Sequence, residues 1–375
     1  MAEREGFEPS IRFWRILTFQ ASAFDHSATA PHALESGPYR LVSRRAMLVA
    51  MLTTLLLLQA AAQSAAPAPK APSEIVAEAP AADWVAIAAN DLLVMQLAPD
   101  RDGKARRVLI QLMPPPLSQP WVANIRTLAK AHWWDGTSVN RVQDNYVVQW
   151  GDATEKKALP AGMQVTRESE YTAELPDAWR AQWSARFEAS SKKFESSALS
   201  TPEGQLEAVS AALSMVRDPY AFIVEHRFGW PVAALDRVWP VHCYGMVGVG
   251  RGLSPDAGNG AELYTVIGHA PRHLDRNIAV VGRVVEGIEH LSSLPRGTGA
   301  LGFYEDPTQR VPIASIRLAS DLPQAERPRM QYLSTESATF AAYAEARANR
   351  KDAFFIRPAG GADICNVPVP IRGKP

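Results

Sequence analysis

The stretch that decides the fold runs from Trp133 to Asp152, WWDGTSVNRVQDNYVVQWGD. Asp135-Gly136 opens it as a tight turn, because glycine takes the positive φ that such turns require. Val139, Arg141, Gln143, Tyr146, Val148 and Trp150 then supply β-rich, aromatic surroundings, interrupted by a second turn at Asp144-Asn145. The expectation is two short extended segments folded against each other, one carrying Arg141 and the other Gln149. An arginine and an amide held in an apolar setting suit a site that grips a neutral carbonyl group. A strand arginine is also commonly a solvated edge residue, and residue types alone leave both readings open.

Working back from this stretch, Trp121, Ile125, Leu128 and Ala129 recur at helical spacing, which predicts a short amphipathic helix over 119–131. Pro114-Pro115-Pro116 separates it from two strand-like runs, Leu92 to Leu97 and Arg107 to Leu112, joined through Pro99-Asp100-Arg101-Asp102-Gly103. Residues 66–83 are Ala/Pro-rich and read as a flexible linker, with order beginning near Trp84. Ahead of it, Arg44-Arg45 and the apolar run MLVAMLTTLLLLQAAA, with small residues at Ala60 and Ala62, describe a secretory signal peptide over 44–65. The run is too short for a membrane anchor. An n-region is a few residues long, so residues 1–43 are read as a spurious extension from a misplaced start, with Leu41 or Val42 as an alternative. No cysteine follows the apolar run, which excludes a lipid-modified N-terminus.

Downstream, residues 155–235 change character. Trp179, Trp183 and Phe187 repeat every four residues, Phe194 continues that face, and Ser200-Thr201-Pro202-Glu203 is a helix start followed by the stripe Leu206, Val209, Leu213 and Val216. The expectation is a helical insertion whose stripes are packing surfaces. β-structure resumes from Val238 to Val247, followed by a glycine-rich loop to Gly260, a strand at Glu262 to Ile267, a turn at His273-Leu274-Asp275, a strand from Ile278 to Val285, a short helix from Gly287 to Leu294 and a last strand from Val311 to Leu318. Residues 321–375 read as a polar C-terminal extension with one helix, Thr335 to Asn349. Gly248-Val249-Gly250 resembles a dinucleotide loop only in its glycines, since no helix follows. His269 and His273 have ligand-like spacing without a carboxylate or thiol partner nearby, so no metal is expected.

The 375 residues suffice for a substantial core, and 39 basic against 39 acidic residues argue against a nucleic-acid partner or an anionic membrane surface. Two cysteines, Cys243 and Cys365, exclude a dense disulfide framework and a four-cysteine zinc site. In an exported chain they are either one bridge pinning the C-terminal extension or two separate thiols, and the sequence leaves both open.

The order of elements from Leu92 to Leu318 resembles the cyclophilin-type peptidyl-prolyl cis-trans isomerases. The likeness rests on Trp121 to Leu128; on Trp134-Asp135-Gly136-Thr137, Asn140-Arg141-Val142 and Val148-Gln149-Trp150-Gly151-Asp152; on Gly245-Met246-Val247 and Asn259 to Tyr264; and on His273-Leu274-Asp275 with Val280 to Gly287. It implies a mainly β fold: a closed antiparallel eight-stranded β-barrel capped by two helices, spanning 84–320 and interrupted by the insertion. It implies isomerisation of Xaa-Pro bonds without a cofactor, Arg141 as the catalytic residue and Gln149 as a substrate-binding amide. Tyr146, Val147, Gly250, Arg251, Glu262, Tyr264, His273, Leu274 and Ile278 take the remaining substrate-binding positions. Several depart from the family pattern. Tyr146 and Tyr264 stand for phenylalanine, Val147 for methionine, Gly250 and Arg251 for alanine and asparagine, Glu262 for glutamine, His273 for tryptophan and Ile278 for histidine. Together with the signal peptide, the resemblance implies a periplasmic, monomeric isomerase acting on proline-containing polypeptides, with a weakly catalytic peptide-binding module as the alternative.

Overall fold

A computed structural model describes residues 69–198 and 218–374. The signal-peptide reading, the Ser200–Glu203 helix start and the stripe from Leu206 to Val216 lie outside them. The described part opens with helix α1 (Pro72–Ala77), which corrects the flexible-linker reading. Pro72 sits where its missing N–H costs nothing, and the Glu74 carboxylate accepts the Ala71 backbone N–H at 2.7 Å. Ile75 and Val76 give this short helix something to bury, an apolar pair that the Ala/Pro-rich composition concealed.

After β1 (Trp84–Ala86) come β2 (Leu92–Leu97) and β3 (Arg106–Leu112), an antiparallel pair. Both are apolar on both faces, for a reason the side-chain alternation makes plain. Leu93, Met95, Leu97, Val108, Ile110 and Leu112 point into the main core, while Leu92, Val94 and Leu109 point outward under a second cluster containing Met330 and Ala319. Helix α2 (Gln119–Lys130) buries Trp121, Val122, Ile125 and Leu128 in the main core, and the Trp121 indole donates to Gly258 O at 2.8 Å. The turn that follows is held from two sides. Gly136 has φ +76°, and Asp135 accepts both terminal nitrogens of Arg317 at 2.7 and 2.6 Å. The hairpin β4 (Ser138–Val142) and β5 (Val147–Gly151) comes next.

The segment between β5 and the rest of the barrel is not purely helical, as the sequence had led us to expect. It holds β6 (Ala173–Glu174), helix α3 (Asp177–Ala198), β7 (Ile223–Arg227), β8 (Trp230–Ala234) and β9 (Arg237–Pro240), and the strands form a four-stranded sheet in the order β6-β9-β8-β7. Trp179 and Trp183 are buried, as a packing stripe should be. The sheet went unread because its hairpin turns on Phe228-Gly229, both with positive φ (49° and 81°), in place of the Asn-Gly or Asp-Gly pair that marks such turns. Gly229 is obligatory for a second reason: a Cβ there would lie 2.5 Å from the Tyr332 ring.

The barrel closes with β10 (Met246–Val249), β11 (Leu263–Val266), β12 (Val280–Glu286), the short helix α4 (Glu289–Ser292) and β13 (Val311–Leu318). Its strand order is β10-β11-β5-β4-β13-β2-β3-β12, closed and antiparallel throughout. The eight-stranded barrel expected from the sequence is therefore present.

The C-terminal extension is also more than a polar tail. β14 (Met330–Leu333) pairs with β1 on one side and with β15 (Ile371–Gly373) on the other in a three-stranded sheet, and helix α5 (Ala338–Ala348) shares an apolar cluster with α1. Strands this short carry no alternation long enough to read. Cys243 and Cys365 are disulfide-bonded, which decides the question the sequence left open and ties this module to the barrel. Arg283 on β12 is buried where the three parts meet. It donates to Gln111 on β3 and to Gly229 O in the insertion, and stacks on Trp230 at 4.4 Å.

Candidate active site

Arg141 and Gln149 are direct cross-strand partners in the β4–β5 hairpin, Gln149 partners Tyr264 on β11, and Tyr264 partners Gly248 on β10. Residues directly opposite one another in a ladder project from the same face, so this row brings a cation, an amide and an aromatic ring together on one patch of barrel wall. The local sequence explains Arg141's setting. A register shift between Val139 and Arg141 and the left-handed Asn145 in the turn bend the hairpin.

Three acceptors hold the guanidinium. Its Nη1 donates to Gln149 Oε1 at 2.9 Å, its Nε to Leu301 O at 2.7 Å, and its Nη2 to Gln143 Oε1. It also lies 5.7 Å from the Tyr146 ring centroid and 5.4 Å from that of Phe303. Burial lowers the Arg141 pKa, with Tyr146 and Glu262 acting against that. An arginine remains charged at neutral pH regardless. The solvated-edge reading of Arg141 is set aside by these contacts.

Because Gln149 Oε1 accepts from Arg141, its amide nitrogen faces the other way and donates to Glu262 Oε1 at 2.6 Å. Burial raises the Glu262 pKa and the charge of Glu155 adds to this, while the Gln149 hydrogen bond and Arg141 oppose it. Glu262 occupies space that glycines leave for it: a Cβ on Gly250 would lie 2.8 Å from Glu262 Cγ, and one on Gly151 3.3 Å from Glu262 Cα.

Beside this polar row lies an apolar one. Val147, Tyr264 and Val266 form a buried cluster of their own, with Tyr146, Leu274 and Ile278 packed against it. Tyr146 and His273 stack at 6.4 Å with nearly parallel rings. Arg251 is turned to the backbone, its Nε donating to Asn277 O at 3.0 Å and its Nη1 to Gly252 O at 2.9 Å, which ties the glycine-rich loop to the neighbour of Ile278. The eleven positions singled out in the sequence thus fall into three connected groups. Arg141, Gln149, Glu262 and Gly250 form the polar row, Tyr146, Val147, Tyr264, Leu274, Ile278 and His273 the apolar wall, and Arg251 the loop clasp.

Sequence reasoning missed two supports. Gln143 lies two residues from Arg141 and shares its strand face, a period that could have pointed to it. Leu301 and Phe303, which close on Arg141 from a loop 160 residues away in the chain, leave no local signal. Among the described residues no group of three or more His, Cys, Asp or Glu is placed to hold a metal ion.

The family model described as cyclophilin type peptidyl-prolyl cis-trans isomerase/CLD matches residues 118–318, more than half of the chain. The chain belongs to this family. The cyclophilin domain so defined carries the whole polar row and apolar wall and contains the insertion. Among solved structures, the chain is similar to the cyclophilin AquaCyp293 from Hirschia baltica, at 20% identity over 77% of this chain and 93% of that one, with a TM-score of 0.49. It is also similar to a Cryptosporidium parvum cyclophilin type peptidyl-prolyl cis-trans isomerase crystallised in the presence of the dipeptide Ala-Pro, at 10% identity over 60% of this chain and 98% of that one, with a TM-score of 0.31. No curated protein matches the chain.

Proposed function

We propose that this cyclophilin catalyses rotation about Xaa-Pro bonds, with Arg141 as the catalytic residue. The observation that carries the reading is the fixed guanidinium beside an apolar wall. Three of its five N–H groups are committed within the protein, which locks its plane and leaves two for a substrate. The barrier to be lowered is about 18–20 kcal/mol and comes from amide resonance. Twisting the bond localises the lone pair on nitrogen, which can then accept a hydrogen bond that the planar amide cannot. A donor held in place beforehand stabilises that twisted state more than the ground state. Val147, Tyr146, Tyr264, Leu274 and Ile278 would seat the proline ring, and Gln149 the preceding carbonyl. No nucleophile, general base or metal enters this scheme. The test is Xaa-Pro exchange followed by NMR on the purified protein and its Arg141→Ala variant. Equal rates with and without the parent protein would end the reading.

A specific contact favours a second reading, a peptide-binding module with little catalysis. The Gln149 amide nitrogen is held by Glu262, so a substrate carbonyl must compete for it. Exchange rates no faster than solution, together with suppressed aggregation of an unfolded client, would select this reading.

We propose further that the chain is exported to the periplasm and assists the folding of other exported proteins. The signal-peptide-like residues 44–65 and a disulfide, which persists in oxidising compartments, support this. The mass of the processed protein recovered from cells tests it: an N-terminus upstream of residue 44 in the mature protein would refute export by this signal.

A further inference from the structure

Tyr264 brings to the apolar wall a hydroxyl that an apolar wall does not need. The ring is buried, and the hydroxyl lies 2.9 Å from His242 Nε2. His242 Nδ1 lies 2.8 Å from Asp275 Oδ1, and the same oxygen accepts the His242 backbone N–H at 3.0 Å. The other Asp275 oxygen accepts from Arg272 Nε at 2.6 Å. Arg272 places Nη1 and Nη2 on Asp218 at 2.6 and 3.0 Å, and Asp218 also accepts the backbone N–H groups of Tyr220 and Ala221. None of these five side chains is exposed.

With His242 neutral, every bond along this chain has a donor and an acceptor. Asp275, paired with Arg272, accepts from Nδ1–H of His242. That leaves the lone pair on Nε2, to which the Tyr264 phenol donates. Burial pushes the phenol pKa well up, so it keeps the proton it donates. The second carboxylate, Asp218, accepts from Arg272 and from two backbone N–H groups. The frame around His242 is rigid as well, because the next residue, Cys243, is bonded to Cys365. Gly248, the cross-strand partner of Tyr264, offers no side chain. A Cβ there would lie 2.4 Å from the Tyr264 hydroxyl and 2.3 Å from its Cζ, so the ring lies over a bare glycine.

We infer that His242 and Asp275, buttressed by Arg272 and Asp218, are positioning residues for the proline pocket: they hold the Tyr264 ring in one orientation and thereby set the shape of the wall that receives the proline. The inference rests on the reading of Tyr264 as part of that wall. It also gives the insertion a part in the site. Asp218 lies in the segment leading into β7, and His242 follows β9, so two strands of the insertion's sheet connect to the chain that holds the ring.

Burying ionised groups this deeply is costly, and removing one partner leaves the others unpaired. For that reason the test begins at the mild end. Tyr264→Phe keeps the ring and deletes only the hydroxyl, and His242→Asn removes its partner. For each, KM and kcat are measured by NMR exchange on an Ala-Pro peptide, Kd for the same peptide by NMR titration, and melting by circular dichroism. Tyr264→Phe is expected to raise KM and Kd about five- to tenfold, the weight of one buried hydrogen bond, with kcat changed less than about twofold. His242→Asn should do the same, and the double variant no more than either single one. A lowered melting temperature with KM and Kd unchanged would make the chain a stability feature and overturn the inference. If the parent does not accelerate exchange, the isomerase reading fails by itself. Kd then decides: weakening by Tyr264→Phe sustains the inference, while an unchanged Kd, or no binding by the parent, overturns it.

Discussion

Arg141 and Gln149 are joined twice, as opposed residues of one antiparallel ladder and by the 2.9 Å hydrogen bond from Nη1 to Oε1. The backbone pairing places the two side chains on one face, and the side-chain bond then fixes which end of the Gln149 amide points at Arg141 and which at Glu262. The polarity of the whole row follows from that one bond.

Arg141→Ala is expected to lower kcat/KM for Xaa-Pro isomerisation by about 100-fold or more, the usual cost of losing one preorganised donor to a developing charge. Arg141→Lys should fall nearly as far, because a compact ammonium cannot hold three acceptors in one plane. Both variants should stay folded, with a loss of about 1–2 kcal/mol in denaturant titrations, since the acceptors they leave can reach water.

Glu262→Gln isolates the raised carboxyl pKa. The folded protein holds this proton at pH values where the unfolded chain has already lost it. Its contribution to stability is therefore present at low pH and is lost as pH rises from the ordinary glutamate value of 4.5 through the raised one. Glu262→Gln should remove that decline, so that its denaturation midpoint gains on the parent's between pH 4.5 and neutrality. Parallel curves for the two proteins would contradict the assignment.

His226 gives the opposite slope. Burial, with the nearby Arg283 charge acting in the same direction, lowers its pKa from 6.5 to about 4, against a hydrogen bond to the Val367 backbone. The folded state refuses a proton that the unfolded chain accepts below pH 6.5, so stability is lost as pH falls toward 4. The loss amounts to up to about 3 kcal/mol. His226→Phe, which preserves the edge contact to Phe340, should flatten the acid side of the stability curve measured by chemical denaturation.

Replacing both Cys243 and Cys365 with alanine is expected to cost about 2–5 kcal/mol in unfolding free energy, because the bridge closes a loop of 122 residues in the unfolded chain. The parent under reducing conditions should match the double variant. An unchanged midpoint on reduction would mean that the β1-β14-β15 sheet and the α1–α5 contact hold the C-terminal module unaided.

Much of the barrel and half of the site were legible in the sequence because the contacts concerned are local or periodic. Arg141 and Gln149 are eight residues apart across a turn that announces itself, and β2 and β3 are long enough for their apolar runs to read as strands buried on both faces. The apolar wall, from Val147 to Ile278, was reached by family resemblance, since nothing in the spacing of Tyr264 or Leu274 ties either to Val147. Tertiary structure alone decided the rest. Leu301 and Phe303 meet Arg141 by loop closure over 160 residues, and no sequence period extends that far. The insertion's sheet turns on Phe228-Gly229, whose positive φ values belong to the packed state around Tyr332 and not to any preference of phenylalanine. The pairing of Cys243 with Cys365 required their Cα atoms to come within 5.1 Å, a distance that exists only once the C-terminal module has docked. The buried link from Asp218 to Tyr264 likewise joins residues whose charges, in the extended chain, would each be solvated separately. Local chemistry is written along the chain, whereas a contact between distant segments depends on the fold that brings them together.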